Sequence, residues 1–214
     1  MISLALSTSF GKFSCAVYAD GEKVASKPGQ SLYGADVAAT INGLLAGAGR
    51  TLADIDRFLL DVGPGGTSSV RTGVAFVNAL SYGLDVPVYA VTSAEIICRE
   101  VAGEAAATDR VVALANSLGE TFYYGTAAPD QFEVKLGTAA DLQTLTEGHT
   151  GLVLCGDPKV AAMITKQADA FNVPVRIATV STVNLDVLHS LVEAGEVKAV
   201  KFPELPIPVA ETLG

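Results

Sequence analysis

The chain has 214 residues, of which 50% are apolar and 17% charged, with a formal net charge of −9. That balance belongs to a folded, core-forming protein of one or two domains and excludes a disordered chain. The acidic excess argues against a broad basic face for nucleic acid, so any role with RNA is expected to run through a partner.

Ile2 to Leu6, Phe13 to Tyr18 and Lys23 to Ser26 read as three short strands, and Asp20-Gly21 between the last two is a hairpin signal. Ala35 to Ala46 follows as an amphipathic helix, with Val37, Ile41, Leu44 and Leu45 at helical spacing. Thr51 to Asp56 is a short capped turn into a strand, Phe58 to Val62. Next comes Asp61-Val62-Gly63-Pro64-Gly65-Gly66, a strand-to-helix corner, and then a helix from Ser68 to Tyr82. A strand, Val86 to Val91, leads to a helix starting after Thr92 or Ser93, with Glu95 as an acidic residue near its N-terminus.

The second half repeats the plan. Val111 to Ala115, Thr121 to Thr126 and Phe132 to Leu136 are strand-like, and Thr138 to Leu145 is helical. Leu152 to Cys155 is a strand and Asp157 to Phe171 a helix; Val175 to Ala178 is a strand, and Ser181 is placed to cap a helix ending at Ala194. Prolines in Phe202 to Pro208 forbid a helix there, so the tail is expected to lie extended over the surface. The order β-β-β-α-β-α-β-α thus occurs twice, in element type and not in sequence identity. It is the plan of the actin, sugar-kinase and Hsp70 superfamily, an α/β fold also described as ribonuclease H-like or ASKHA. The expected division is an N-terminal subdomain over 1–105 and a smaller C-terminal one, with the extended tail, over 106–214.

Chemistry is sparse. The turn after the first strand, Ser7-Thr8-Ser9-Phe10-Gly11-Lys12, stands where that superfamily manages phosphate and metal, but it offers a serine where a carboxylate is expected. Ser7, Thr8, Ser9 and Lys12 are therefore candidates for a vestigial phosphate turn. Gly63-Pro64-Gly65-Gly66 lacks the lysine of a P-loop and the spacing of a dinucleotide fingerprint. Ser68, Ser69, His149 and Asp157 have no nucleophile-elbow context. Asp54 and Asp56 read as turn caps; Asp61 draws more interest because it abuts the glycines, and Arg71 sits one turn into the next helix. Cys15, Cys98 and Cys155 lack C-x-x-C spacing and read as buried thiols of a reducing compartment, while two dispersed histidines make a metal site improbable. Met1-Ile2-Ser3-Leu4 does not resemble a signal peptide and no apolar run is long enough to span a membrane, so a soluble cytoplasmic protein is expected. The helix through Gly73, Val74, Val77, Asn78 and Gly83 is apolar nearly all round, and Ala35 to Gly49 carries one charge, Asp36. Two such helices read as half of an interface, or else as helices covered by the second half of the chain.

These residues carry a family resemblance. Gly63-Pro64-Gly65-Gly66-Thr67-Ser68-Ser69-Val70-Arg71-Thr72-Gly73 resembles the G-P-G-S-F-T-G-L-R-I-G signature of the TsaB (YeaZ-type) proteins. Leu4 to Ser9 is similar to that family's L-A-L-D-T-S, Leu52 to Asp56 to its L-x-D-I-D, and Val91 to Glu95 to its V-S-S-L-E. Asn116 to Tyr123 is a weaker echo of D-A-R-x-x-E-V-Y. The convincing part covers roughly residues 1 to 100. Departures are Ser7 for Asp, Tyr33-Gly34-Ala35 for His-Ser-Glu, Thr67 and Ser69 for Phe and Gly, and Asn116 and Leu118 for the Asp and Arg of D-A-R.

The resemblance implies a non-catalytic scaffold of actin-like fold. Such a scaffold pairs with a catalytic TsaD-type paralogue, and through it with a TsaE-type ATPase, to place threonylcarbamoyl on adenosine 37 of tRNAs reading ANN codons. tRNA is met only through the complex, no cofactor or metal of its own is implied, and related contacts can give a homodimer. The metal-binding histidines of TsaD have no equivalents here. Within this reading Gly63, Pro64, Gly65, Gly66 and Gly73 form the signature loop. The partner interface is assigned to Tyr33, Val37, Ile41, Leu44, Leu45, Val70, Arg71, Val74, Val77 and Asn78. The alternatives are a divergent kinase or ATPase using Lys12 and the glycine corner, or a self-associating paralogue without a tRNA role.

Overall fold

A computed structural model describes residues 1–32, 36–116, 121–127, 132–166 and 171–213. Contacts group them into two units. Unit 1 takes Met1–Thr92 and Thr182–Thr212; unit 2 takes Ser93–Ser181. The chain therefore divides differently from a single cut after residue 105, because its last segment returns to the first unit.

Unit 1 is built on a six-stranded sheet. Strand β1 (Ile2–Ser7) pairs antiparallel with β2 (Lys12–Ala19), which pairs antiparallel with β3 (Glu22–Ser31). Asp20 and Gly21 join β2 to β3 with φ of 51° and 89°, so both central residues are left-handed, as the expected two-residue hairpin requires. Strand β3 runs five residues past the expected Ser26 and tolerates Pro28 because it is an edge. Helix α1 (Val37–Gly47) starts two residues later than expected, since Asp36 caps it by accepting from Ala39 N at 2.8 Å. Strand β4 (Arg57–Asp61) lies parallel to β1, α2 (Thr67–Leu84) follows the glycine corner, and β5 (Val88–Val91) lies parallel to β4. Alternation along β1 sends Ile2, Leu4 and Leu6 to one face, where they join Ile41, Leu45, Val70, Val74 and Val77 in one apolar core. Ser3, Ala5 and Ser7 take the other face.

Unit 2 begins with helix α3 (Ser93–Ala102), then β6 (Asp109–Asn116), β7 (Phe122–Ala127), β8 (Phe132–Gly137), α4 (Ala139–Thr144), β9 (Gly151–Gly156), α5 (Pro158–Thr165) and β10 (Val175–Thr179). Thr138 and Asp141 form the capping box of α4. Asp157 is the N-cap of α5, with Pro158 at its first position; the described helix is Pro158–Thr165, and the expected stretch toward Phe171 runs through residues 167–170, which lie outside the described set. Val112, Leu114, Phe122, Leu142, Leu152, Leu154, Val160 and Ile164 form its core.

Helix α6 (Leu185–Glu193) belongs to unit 1 and packs against β1, β2 and β4. Its cap is Asn184, which accepts from Asp186 N at 3.0 Å; Ser181, the expected cap, lies too early because Asn184 supplies the same oxygen closer to the first apolar turn. A short strand β11 (Ala199–Val200) pairs antiparallel with β5, and the proline-rich tail beyond it ends in a single helical turn, α7 (Val209–Thr212).

The sheet orders are β11-β5-β4-β1-β2-β3 and β10-β9-β6-β7-β8. Without β11 they are the same order, with the same parallel and antiparallel pairs. The chain is a duplicated βββαβαβα protein of the actin-like, ribonuclease H-like (ASKHA) class with two similar subdomains. The duplication has a local trace in sequence. Val86-Pro87-Val88 and Val173-Pro174-Val175 enter the fifth strand of each half, and each proline carbonyl accepts a bond at 2.9 Å, from Phe58 N and from Leu152 N.

Candidate functional site

The glycine corner is an internal joint. Asp61, 1% exposed, accepts from Ser7 Oγ at 2.6 Å and from Gly63 N at 2.8 Å, so one carboxylate ties the end of β1 to the corner after β4. Gly63 holds φ = 86°, a conformation that a side chain resists. A Cβ on Gly73 would stand 2.3 Å from Thr8 Oγ1, and one on Gly65 would stand 3.2 Å from Ser9 Oγ. Those glycines let the Ser7-Thr8-Ser9 turn lie directly on α2. All three hydroxyl residues are buried, and Thr8 Oγ1 and Ser9 Oγ find no hydrogen-bond partner among the described residues. The candidate phosphate turn and the signature loop are thus brought together, but face to face and packed. Lys12 is half-buried at the start of β2, with its stem beside Gly29.

The assigned interface residues fall into distinct environments. Ile41, Leu45, Val70, Val74 and Val77 are each 3% exposed or less and belong to the core of unit 1. The assignment of these five to a partner surface is corrected on that ground: large apolar side chains at i, i+4 and i+7 go to the sheet. Val37, Leu44 and Asn78 are half-buried; Asn78 Nδ2 donates to Pro206 O at 2.8 Å, so the C-terminal tail sits against it. Arg71 is exposed, and Tyr33 lies outside the described residues.

What α1 and α2 leave open is a different set, missed because the side chains are small. On α1 the exposed residues include Ala38, Ala39, Asn42, Gly43 and Ala46; on α2 they include Ser68, Thr72, Ala75, Ala79 and Tyr82. The spacing of 68, 72, 75, 79 and 82 is one helical stripe opposite Val70, Val74 and Val77. Neither helix carries a carboxylate, and Arg71 is the single cation of α2. Faces of this kind permit close approach of another helix without the desolvation of charge.

The opposite face of the sheet carries a polar cluster under α6. His189 stacks on Tyr18 with centroids 3.9 Å apart and planes 6° from parallel. Tyr18 donates to Asp186 Oδ1 at 2.7 Å, and Lys23 Nζ bonds Asp186 Oδ2 at 2.6 Å. Arg57, 7% exposed, donates to Ser3 Oγ at 2.7 Å, pairs with Glu193 and lies over the ring of Tyr89 at 5.6 Å. Burial holds His189 below its ordinary pKa against a smaller upward pull from Glu193, whose Oε1 is 3.4 Å away. Lys23 holds the Asp186 carboxyl below its ordinary range. Burial pushes the phenol of Tyr18 up and the thiol of Cys15 up to about 12. All three cysteines are free and buried. His149 is engaged with the carbonyl of Thr108 at 3.3 Å. Among the described residues no three His, Cys, Asp or Glu side chains gather in a metal-holding group, and no helix is long and apolar enough to cross a membrane.

Residues 33–201 match the family model described as TsaD, tRNA N6-adenosine threonylcarbamoyltransferase. The fold is shared with YeaZ from Pseudomonas aeruginosa, at a TM-score of 0.74 and 21% identity over 97% of this chain and 98% of that one. It is equally shared with a crystal structure described as an uncharacterized protein with similarity to peptidase YEAZ, also from Pseudomonas aeruginosa, at 0.72 and 20% over the same shares. No curated protein sequence matches the chain.

Proposed function

The chain belongs to the TsaD family, and from that premise we propose that it is a TsaB-type subunit, a non-catalytic scaffold for a TsaD-type paralogue in the modification of tRNAs reading ANN codons. The observation that carries the proposal is the pair of open, carboxylate-free faces on α1 and α2. Ala38, Gly43, Ala75 and Ala79 are small enough for the helices of a partner to approach closely, and Tyr82 supplies one large apolar contact at the end of the stripe. The non-catalytic part is supported by the histidines, since His189 is stacked beneath α6 and His149 bonds a backbone carbonyl. The packed Ser7-Thr8-Ser9 turn weighs against the kinase alternative. In this role the protein works in the cytoplasm, meets tRNA and the TsaE-type ATPase only through the complex, and uses the same helical face when it forms a homodimer.

The test is co-expression with the TsaD-type paralogue of the same genome, followed by size-exclusion chromatography. Ala75→Glu and Ala79→Glu place a charge on the open face without touching the core. They are expected to weaken the complex about tenfold or more, equivalent to at least about 1.4 kcal/mol, with an unchanged far-UV circular dichroism spectrum. Parent-like co-elution of both variants would refute the docking face.

A further inference from the structure

The two units carry the same five-stranded order, so a place in one can be compared with its counterpart in the other. In unit 1, Phe58 N donates to Pro87 O at 2.9 Å and Val62 N to Val91 O at 3.0 Å. A parallel ladder uses alternate residues, so Val88 and Ala90 turn their backbone N–H and C=O groups outward. There β11 adds, with Ala199 opposite Tyr89 and Val200 opposite Val88. The chain then runs as a strap along α2. Lys201 Nζ bonds Asp85 O at 2.8 Å, the ring of Phe202 meets Tyr82 edge-on at 5.2 Å, and Pro206 O accepts from Asn78. The strap ends where Val209 N donates to Val62 O at 3.0 Å. In unit 1 the protein itself supplies the peptide that closes this edge.

Unit 2 enters its fifth strand with the same Val-Pro-Val and the same bond to Pro174 O. Val180 N donates to Gly156 O at 3.3 Å, which keeps the ladder in phase. Val175, Ile177 and Thr179 therefore present their backbone donors and acceptors outward, and among the described residues no strand pairs with them. Beside them, at the counterpart of the strap's bed on α2, lies an open groove of about 490 Å³. It is lined by Ala161, Ala162, Thr165 and Lys166 from α5 and its end and by Ile177 and Thr179 from β10. Lys166 is the one charge among the described lining residues. An unpaired edge beside an apolar groove is a template for another segment.

We propose that this edge and groove are a docking site for an extended, mainly apolar peptide bearing a carboxylate, the tail of a partner protein. It adds to β10 as β11 adds to β5. Main-chain bonds to Val175, Ile177 and Thr179 hold it, the groove takes alternate side chains, and Lys166 meets the acid. This site is independent of the helical face proposed above.

A labelled synthetic peptide with the sequence of residues 196–209 is the probe, mixed with the full chain and read by fluorescence anisotropy and hydrogen–deuterium exchange. Saturable binding with a Kd below about 1 mM and slowed exchange across 175–179 are expected. Ala162→Arg fills the groove from an exposed position of α5 and is expected to lose about tenfold or more in affinity, with an unchanged far-UV spectrum. Absence of binding up to about 1 mM, protection on β5 in place of β10, or parent-like binding by Ala162→Arg would overturn the proposal.

Discussion

Replacing Gly73 by alanine tests the joint that the signature loop builds. In an open helix this change stabilises by about 1 kcal/mol, because alanine loses less backbone entropy than glycine. Here the new methyl would stand 2.3 Å from Thr8 Oγ1 and 2.9 Å from Thr8 Cγ2, inside a buried contact. Overpacking of that kind costs about 1–3 kcal/mol or somewhat more when the overlap is severe. The net expectation for Gly73→Ala is a loss of about 1–2 kcal/mol, a fall in Tm of roughly 3–6 °C for a chain of this size. Thr8→Ala removes both close atoms, one of them a hydroxyl without a partner among the described residues, and leaves Cβ at 3.2 Å. In that background Gly73→Ala is expected to stabilise. The double-mutant cycle should therefore show a coupling of about 2–3 kcal/mol, read by urea unfolding under far-UV circular dichroism. Hydrogen exchange along α2 localises the effect to unit 1. Additivity within about 0.5 kcal/mol would refute the packing role of Gly73.

Val74→Glu places an unpaired carboxylate in the core of unit 1, where Val74 is 3% exposed, and is expected to cost more than about 3 kcal/mol. Its urea midpoint should collapse while that of Ala79→Glu stays near the parent; equal midpoints would contradict the assignment of faces. His189 gives a pH dependence. Its folded pKa is depressed, so the unfolded chain takes the proton first: the contribution is complete above the ordinary value of 6.5 and is lost as pH falls through the folded value. His189→Phe keeps a ring on Tyr18 and removes the titration. Its urea midpoint should fall less than the parent's between about pH 7.5 and 5, and an identical slope would exclude His189 as the source.

Much of the fold is legible in the sequence. The left-handed pair Asp20-Gly21, the capped turn from Thr51 to Asp56, and the corner at Gly63 each express a local preference in φ or a local hydrogen bond, whereas the caps Asp36 and Asp157 are found only in the structure. The doubled order of strands and helices followed from periodicity. The candidate site was less legible. Val70, Val74 and Val77 look as available to a partner as Ala75 and Ala79 when α2 is read as an apolar helix, and size alone did not say which stripe the sheet would claim. The polar cluster beneath α6 left no local mark, since Tyr18, Arg57 and His189 meet across distant segments. Nor did the strap, whose two-residue strand is too short to carry a period.

By itself, then, the sequence determined the kinds of element, their order and the corners between them, because propensity, capping and the sign of φ act over a few residues. Only the tertiary structure decided that the large side chains of α1 and α2 are core and the small ones surface. It alone returned α6 and the tail to unit 1, and among the described residues left β10 an unpaired edge where β5 is covered. Those outcomes depend on burial against residues far along the chain. No window of sequence contains both sides of such a contact.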